Sequence, residues 1–222
     1  MFTHGANHTD RGSMKLYSFP TAPSARRARM FLAEKGLTAD IEDIDLRSGR
    51  HLEPAYLAIN PQGMVPVLEL DDGTRITENI AIAVYLDELK PTPRLFGRDP
   101  LERARVFQWN ARIEFEGLLP LADRLRNSHP AFKGRALPGP VAYEQIPQLA
   151  DRGDDRVKRF LAILSEHLAG REFIGGDVHS FADITGVVFI DMLRMAKLEV
   201  PAELEALRKW YDRMRARASY GA

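Results

Sequence analysis

The segment 60–79, NPQGMVPVLELDDGTRITEN, constrains the fold of this chain more than any other stretch. Pro66 follows Val65 and precedes an apolar run. Because proline cannot donate to a sheet ladder, it belongs at the first residue of a strand. The bond before a proline is also the one at which a cis peptide costs little. The sequence therefore predicts a strand that starts at Pro66, with the backbone amide and carbonyl of Val65 facing whatever lies beside the sheet.

The second half of this segment predicts a β-hairpin followed by a helix. Asp71, Asp72 and Gly73 form a turn signal between two short strand patterns, so the two strands run antiparallel. The sequence Thr-Glu-Asn at 77–79 is an N-cap signal before an amphipathic pattern. A helix N-terminus binds anions, and a carboxylate beside it attracts an ammonium group. Together these features predict a slot for a small extended peptide with a charge at each end.

The pattern NPxGxVPxL followed by ITExxAIxxYL resembles the glutathione site of the cytosolic glutathione transferase family. The resemblance is to bacterial members of the serine/threonine type rather than the cysteine type. It implies that Val65, before a cis Pro66, pairs its backbone with the cysteinyl part of glutathione. It also implies that Glu78 and Asn79 hold the γ-glutamyl end, with asparagine at a position where the family usually has serine.

Two more residues come from the same resemblance, which extends over residues 15–218. His51 and Gln62 lie where relatives contact the glycyl carboxylate of glutathione. A lone histidine in a loop is more often simply exposed, so this role and the structural interpretation both stay open. The fold implied is α/β plus all-α, with an N-terminal thioredoxin-like domain followed by an all-helical domain.

The chain contains no cysteine, so it has no disulfide, no thiolate metal site and no protein thiol. Any sulfur chemistry must use a thiol that the ligand brings, and glutathione, as co-substrate, has one. A hydrogen bond from a hydroxyl to a charged acceptor contributes about 1.5–3 kcal/mol, and one pKa unit corresponds to about 1.36 kcal/mol. One such donor beside a helix N-terminus is therefore enough to lower the pKa of a bound thiol by roughly one to two units.

Thr21 is the preferred donor, because it lies at a corner where a predicted strand passes directly into a helix. Transferases of the serine and threonine/asparagine types carry their activating hydroxyl in a similar S/T-x-P corner. Ser24 falls where some relatives have Asn or Cys, and Tyr17 is the alternative that tyrosine-type classes suggest. The structural interpretations are a turn residue for Thr21, an N-cap for Ser24 and a core residue for Tyr17. Arg26, Arg27 and Arg29 form a basic run that could assist an anionic ligand or be a solvated helix face.

The domain organisation follows from composition along the chain. Residues 1–13 are polar and small, and are interpreted as a disordered extension or a tag remnant. The thioredoxin-like, glutathione-binding domain is predicted at 14–88. A proline-rich linker at 89–98 separates it from a helical domain at 99–222 that would carry the electrophile site.

Within the helical domain the patterns predict one long helix over residues 100–126, kinked at Pro120. A long irregular connection is predicted over 129–153, as a wall of the electrophile pocket. Ser180 and Asp183 form a capping box, so replacing Asp183 with Ala should cost about 0.5–2 kcal/mol. A last helix is predicted over 201–218.

Charge and hydropathy exclude several function classes. Lys plus Arg and Asp plus Glu both total 31, so there is no overall basic character to predict nucleic-acid or membrane binding. No apolar run reaches the roughly 18 residues of a membrane-spanning helix, and no metal site is predicted. The expected partners are glutathione, a small electrophile and a second copy of the chain in a homodimer, in the cytoplasm.

The resemblance predicts a glutathione transferase whose bound thiolate attacks a hydrophobic electrophile. Two alternatives stay open. One is a glutathione-dependent disulfide or peroxide reductase, or an isomerase, on the same fold. The other is a non-catalytic binding module. The absence of cysteine argues only against relatives that react through a protein thiolate.

Overall fold

The computed structural model describes residues 14–222, so the predicted extension at 1–13 lies outside the described residues. The first domain is a four-stranded sheet, in the order β2-β1-β3-β4, with three helices. Its strands are β1 (Lys15–Ser18), β2 (Asp40–Asp43), β3 (Val67–Glu69) and β4 (Arg75–Thr77). Its helices are α1 (Pro23–Lys35), α2 (Pro54–Leu57) and α3 (Asn79–Leu89). This is the predicted thioredoxin-like architecture.

The register of the sheet places several loop segments at one edge. β1 is parallel to β2 and antiparallel to β3, and β3 is antiparallel to β4, as the hairpin signal predicts. Tyr17 pairs with Val67, and Val67 pairs with Thr77. The segments that follow β1, precede β3 and follow β4 therefore lie next to one another at the same edge of the sheet.

The second domain is helical throughout its regular elements. It contains α4 (Pro100–Arg112), α5 (Leu119–Arg126), α6 (Pro147–His167), α7 (Phe181–Leu193) and α8 (Glu205–Arg215). α7 is buried on nearly all sides and forms the centre of this domain, with Phe181, Ile184 and Phe189 fully buried. A helix that is mostly hydrophobic must be enclosed by others.

The helix predicted over 100–126 is divided by a π-helical segment, Ile113–Leu118. The interruption precedes Pro120 rather than centring on it. Proline lacks an N–H and its ring clashes with the carbonyl four residues earlier, so the preceding turn cannot keep α-helical hydrogen bonding. A π segment accommodates that mismatch without ending the helix.

The irregular connection predicted over 129–153 is shorter than expected, because α6 already begins at Pro147. Gly153, which the sequence suggested was part of the connection, lies inside α6 against α5. A Cβ at this position would lie 2.9 Å from the backbone nitrogen of Arg124, too close for any side chain. The glycine therefore permits a close helix crossing and is not a loop signal.

The last helix is also shorter than predicted. α8 covers only Glu205–Arg215, and a separate short 3₁₀ turn, Ala218–Gly221, follows it. Residues 201–204 form a turn before α8. This final turn packs on α1, so the end of the chain returns to the first domain.

The capping box of α7 is confirmed and is part of a larger cluster. Asp183, fully buried, accepts hydrogen bonds from the amide of Ser180 at 3.0 Å and from its hydroxyl at 2.9 Å. It also accepts from the amide of Ile174 at 2.8 Å and from the indole N–H of Trp210 at 2.9 Å. One carboxylate therefore connects α7, α8 and the loop before α7.

A buried ion pair holds the linker on the first domain. Lys35, at the end of α1, pairs with Asp87 of α3, and both side chains are almost fully buried. The Lys35 ammonium group also donates to the carbonyls of Lys90, at 2.7 Å, and Pro93. Asp87 in turn accepts from the amide of Leu95 at 3.0 Å. The predicted linker is thus held along its length by two side chains.

Within residues 14–222, no helix is both long enough and apolar enough to cross a lipid bilayer.

Candidate functional site

Three of the segments predicted to bind glutathione meet at one edge of the sheet. The corner that carries Thr21 follows β1, Val65-Pro66 precedes β3, and Glu78-Asn79 follows β4. Because these strands are neighbours in the register above, the three segments are adjacent. Residues far apart in sequence are brought together by strand pairing alone.

The Val65-Pro66 peptide bond is cis, which confirms the prediction from the sequence. Val65 is buried, at 7% exposure, and Val67 starts β3. The preceding residue is fixed from two sides, because the hydroxyl of Tyr56 and the side-chain amide of Asn60 donate to the Met64 carbonyl at 2.7 and 2.8 Å. The backbone beside Val65 is therefore held in place before any ligand arrives.

Tyr56 and Asn60 were not predicted as supports of the site. The signal for Asn60 was present, because Asn followed by Pro commonly starts a turn, and its side-chain oxygen accepts from the amide of Gln62 at 3.1 Å. Tyr56 gave no such signal, since its contact depends on how α2 packs on the loop.

The corner after β1 is a tight turn that exposes Thr21. The amide of Ala22 donates to the carbonyl of Phe19 at 3.0 Å, which makes Pro20 and Thr21 the two central residues of the turn. Ala22 occupies the N-cap position of α1. Ser24, half-buried, is the second residue of the helix and not its cap. Thr21 is therefore an exposed residue with a hydroxyl group, and it lies directly before the N-terminus of α1.

Tyr17 lies in a small apolar cluster under the sheet edge. It is 4% exposed and packs edge-to-face on Tyr56, with ring centroids 6.0 Å apart. Its hydroxyl donates to Glu69 at 3.3 Å. Burial, followed by the charge of Glu69, raises the pKa of Tyr17. The hydroxyl is thus already engaged with a carboxylate, and its proton is harder to remove.

The entry to α3 differs from the prediction at the cap. Glu78, not Asn79, occupies the N-cap position, and its side chain makes no capping hydrogen bond. Glu78 is exposed and has a φ of 64°, which a non-glycine residue rarely adopts. Asn79 is the first helical residue, 7% exposed, and its buried Oδ1 atom has no hydrogen-bond partner.

His51 and Gln62 lie on segments that come close together on either side of α2, since a Cβ at Gly63 would lie 3.1 Å from the His51 carbonyl oxygen. His51 is half-buried and its buried Nδ1 atom has no partner, whereas Gln62 is exposed. Burial lowers the pKa of His51, and the positive charges of Arg135 and Arg126 lower it further. These two arginines belong to the helical domain. Sequence reasoning missed them because their approach to His51 depends on how the two domains pack.

The connection between α5 and α6 reaches across to this side of the site. A Cβ at Gly139 would lie 3.3 Å from the Gln62 carbonyl oxygen, so the two backbones are in close contact. The side chain of Arg126 holds the connection by donating to the carbonyls of Ala136 and Arg135, at 3.0 and 2.7 Å. The connection predicted as a pocket wall thus lies against the first domain.

The unpartnered atoms test whether these residues suit a peptide ligand. Four buried side-chain polar atoms of the described chain lack a partner: Arg27 Nε, His51 Nδ1, Asn79 Oδ1 and His179 Nδ1. Two of the four belong to residues predicted to bind glutathione. A buried polar atom without a partner is costly, and a ligand with an ammonium group and carboxylates would satisfy both. The residues present therefore fit glutathione.

A cavity elsewhere in the molecule contains none of these residues. It has a volume of about 540 Å³ and lies between α4 and residues 170–177, lined by Trp109, His167 and Arg171 among others. Among the residues described, no group of three or more His, Asp or Glu side chains is arranged to hold a metal ion.

Comparison with protein families gives two matches. Residues 21–89 match the family model described as glutathione S-transferase, N-terminal domain. Residues 126–218 match the model described as glutathione S-transferase, C-terminal domain. Together the two models cover most of the chain.

Individual relatives agree with the family models. The chain is 38% identical to glutathione S-transferase 2 of Saccharomyces cerevisiae over 209 residues, which is 93% of this chain and 87% of the relative. It is 46% identical to maleylacetoacetate isomerase of Pseudomonas aeruginosa over only 94 residues, 41% of this chain and 44% of the relative. The crystal structure of Gtt2 from Saccharomyces cerevisiae superposes with a TM-score of 0.85 at 38% identity, covering 92% of this chain and 97% of that structure.

Proposed function

The chain belongs to the glutathione S-transferase family, and from this premise we propose that it activates bound glutathione with the hydroxyl of Thr21 for attack on a hydrophobic electrophile. Glutathione lies along Val65-Pro66, with its γ-glutamyl end at Glu78-Asn79. Its glycyl end lies towards His51 and Gln62.

The single observation that supports this proposal most strongly is the convergence at the sheet edge. A cis peptide bond, an exposed hydroxyl before a helix N-terminus and a buried, unpartnered amide oxygen at Asn79 adjoin one another. Each suits one part of the tripeptide. The cis peptide segment offers backbone groups to the cysteinyl part, the hydroxyl faces the thiol, and the Asn79 oxygen accepts from the γ-glutamyl ammonium group.

The reaction divides between the protein and its co-substrate. The thiol proton of glutathione passes to solvent, and the Thr21 hydroxyl and the N-terminus of α1 stabilise the thiolate that remains. A sulfur electron pair then forms a bond to the electrophilic carbon, and the leaving group departs with its bonding electrons. Thr21 acts only as a hydrogen-bond donor in this scheme.

Replacing Thr21 with Ala or Val tests the proposal. We expect turnover to fall and the thiol pKa of bound glutathione, measured from thiolate absorbance, to rise by roughly one unit. Ser24→Ala is the matched control on the same corner and should leave this pKa unchanged. An unchanged pKa in the Thr21 variants would transfer the role to Ser24 or Tyr17.

A second candidate is a glutathione-dependent isomerase, and the partial similarity to a maleylacetoacetate isomerase favours it. Cis–trans isomerisation of a maleyl substrate consumes no glutathione, whereas transfer to 1-chloro-2,4-dinitrobenzene consumes one molecule per turnover. A disulfide substrate tests the reductase alternative in the same way. Retention on immobilised glutathione without any turnover would favour a binding module.

The remaining expectations are proposals of the same kind. We infer a homodimer from exposed apolar residues on α3 and α4, which are consecutive in the chain, namely Val84, Leu89, Leu101 and Phe107, and sedimentation equilibrium checks it. The domain division at residues 14–88 and 99–222, the bacterial origin and the cytoplasmic location stay predictions.

A further inference from the structure

The basic run on α1 is not a solvated face, because each of its three arginines has a specific acceptor. Arg26 pairs with Asp191 of α7 and donates to the Tyr220 carbonyl at 2.8 Å. Arg27 pairs with Glu114 of the π segment at 2.5 Å. These two join α1 to the helical domain. Arg29 instead turns back onto its own domain.

Arg29 binds the corner that carries Thr21. One of its terminal nitrogens donates to the Ser18 hydroxyl at 2.6 Å and to the Phe19 carbonyl at 3.2 Å. The other donates to the Pro20 carbonyl at 2.8 Å. The guanidinium group therefore holds three consecutive residues, and Thr21 is the next one in the chain.

The bond to Pro20 acts directly on the backbone of Thr21. The carbonyl oxygen of Pro20 and the amide N–H of Thr21 belong to one planar peptide unit, so fixing the oxygen fixes the direction of the N–H. A cation on the oxygen also polarises the unit and strengthens its N–H as a donor. In the described part of the chain, the Thr21 amide donates to no protein acceptor within hydrogen-bond distance.

The positive charge of Arg29 is not cancelled by an ion pair. No carboxylate among residues 14–222 lies within 4.0 Å of its nitrogens, and its three acceptors are neutral. The charged groups that act on it are Asp43 on β2 and Arg26 on α1. Burial and Arg26 lower the pKa of Arg29, Asp43 raises it, and a guanidinium stays protonated throughout the working range.

We propose that Arg29 is a positioning residue for thiol activation: it orients the Pro20-Thr21 peptide and the Thr21 hydroxyl towards the sulfur, and its charge favours the thiolate. This rests on the proposed role of Thr21. Arg29 does not contact the sulfur, and acts through the peptide unit. The planar guanidinium divides these three bonds between two terminal nitrogens in a fixed plane, whereas a lysine ammonium would have to make all of them from a single nitrogen.

The test compares Arg29→Met, Arg29→Lys and the matched control Arg26→Lys, in the full chain with glutathione. Methionine keeps most of the side-chain volume without charge or donors. We expect Arg29→Met to raise the thiol pKa of bound glutathione by about one unit, about tenfold less thiolate at neutral pH. Lysine keeps the charge but not the planar geometry, so its shift should be about half as large. Arg26→Lys should not move this pKa.

Two further readouts separate positioning from general stability. The kcat should fall by about tenfold in Arg29→Met, while the KM for glutathione changes less than twofold, because the groove beside Val65 stays intact. Added guanidinium should restore part of the activity of Arg29→Ala, in which the shortened side chain leaves room for it, and none in Arg29→Met, whose side chain fills that space. If the methionine variant does not fold, the thiol pKa of the lysine variant decides, and a value equal to that of the unsubstituted protein overturns the inference.

The outcomes also separate this inference from the proposed function. In one outcome the bound thiol has a lowered pKa in the unsubstituted protein, Thr21→Ala raises this pKa and Arg29→Met leaves it unchanged. That result would overturn only the role of Arg29. A bound thiol that keeps its free pKa in the unsubstituted protein would overturn both.

Discussion

Two polar regions of this molecule differ in how many of their buried polar atoms have hydrogen-bond partners within the protein. Around Asp183, in the centre of the helical domain, a fully buried carboxylate accepts four hydrogen bonds from three residues. At the sheet edge of the first domain, the buried Oδ1 of Asn79 and Nδ1 of His51 have no partner. The first arrangement is complete within one chain. The second becomes complete only when something else supplies donors and acceptors.

The contrast separates residues that hold the fold from residues that we propose bind a ligand. Removing a buried group that has hydrogen-bond partners leaves those partners unpaired and lowers the stability of the protein. Removing a buried group that has no partner does not lower stability, because its burial was already unfavourable in the free protein. The effect is then seen as weaker ligand binding. An unpartnered atom alone does not identify a site, since Arg27 Nε and His179 Nδ1 are unpartnered between the domains. The site at the sheet edge rests on two such atoms together with the convergence of the loops.

The largest expected effect is that of Asp183→Ala on stability. The substitution leaves the amides of Ile174 and Ser180 and the indole of Trp210 without an acceptor, so we expect a loss of about 3–5 kcal/mol in the free energy of unfolding. This exceeds the 0.5–2 kcal/mol of a lost cap alone. Urea denaturation measures it. The folded fraction should bind glutathione with unchanged affinity, and a stability loss below 1 kcal/mol would contradict the cluster's importance.

The second prediction concerns acid and the contact between α1 and the end of the chain. Burial alone would raise the pKa of Glu34, but hydrogen bonds from Arg217 and Ser219, with the charges of His179 and Arg217, lower it from 4.5 to about 2. A depressed pKa contributes stability that is present above pH 4.5 and is lost as the pH falls towards 2.

We therefore expect up to about 3 kcal/mol of stability to disappear across that interval, measured as unfolding free energy against pH. Glu34→Gln is the control, since it cannot titrate and should flatten this part of the curve. A curve of the same slope in the variant would assign the acid transition to other carboxylates.

The third prediction compares two buried asparagines. Asn79→Leu should change stability by less than about 1 kcal/mol and weaken glutathione binding by roughly 1–3 kcal/mol, because it removes an unsatisfied oxygen that a ligand would use. Asn110 is the matched control, since its Oδ1 accepts from the Thr185 hydroxyl at 2.7 Å. Asn110→Leu should lower stability by about 1–3 kcal/mol and leave binding unaltered. The reverse pattern would reject the comparison.

The smallest effect is expected for Glu78→Ala. This side chain is exposed and caps nothing, so stability should be nearly unchanged. Losing one solvated charge contact to the γ-glutamyl ammonium group should weaken glutathione binding by about 1 kcal/mol. Isothermal titration measures this, and an unaltered dissociation constant would remove Glu78 from the site.

Sequence reasoning predicted those parts of the fold that local chemistry determines. The cis peptide at Pro66, the hairpin at Gly73 and the capping box at Ser180 each depend on residues close in sequence, and all three are confirmed. The prediction that the irregular connection extends to residue 153 was wrong, because Gly153 looks like a loop residue until the helix that it touches is known.

The site divides in the same way. Val65-Pro66 and the Thr21 corner follow from short patterns, and the structure places them side by side. The sequence placed Arg29 in a basic run but did not distinguish it from Arg26 and Arg27, and it did not indicate the arginines near His51, because one arginine is like another until packing gives it an acceptor. Arg26 and Asp191 are 165 positions apart, and no local pattern records such a pair.

The buried pair of Lys35 and Asp87 has a consequence for how the two halves of the molecule move. Lys35 donates to the linker carbonyls of Lys90 and Pro93, and Asp87 accepts from the amide of Leu95. The carbonyl of Leu95 in turn accepts from the amide of Phe181 at 2.9 Å, so this linker residue is bonded to both halves. Rotation of one half against the other would break a buried hydrogen bond at Leu95, and heating should therefore melt both halves in a single transition.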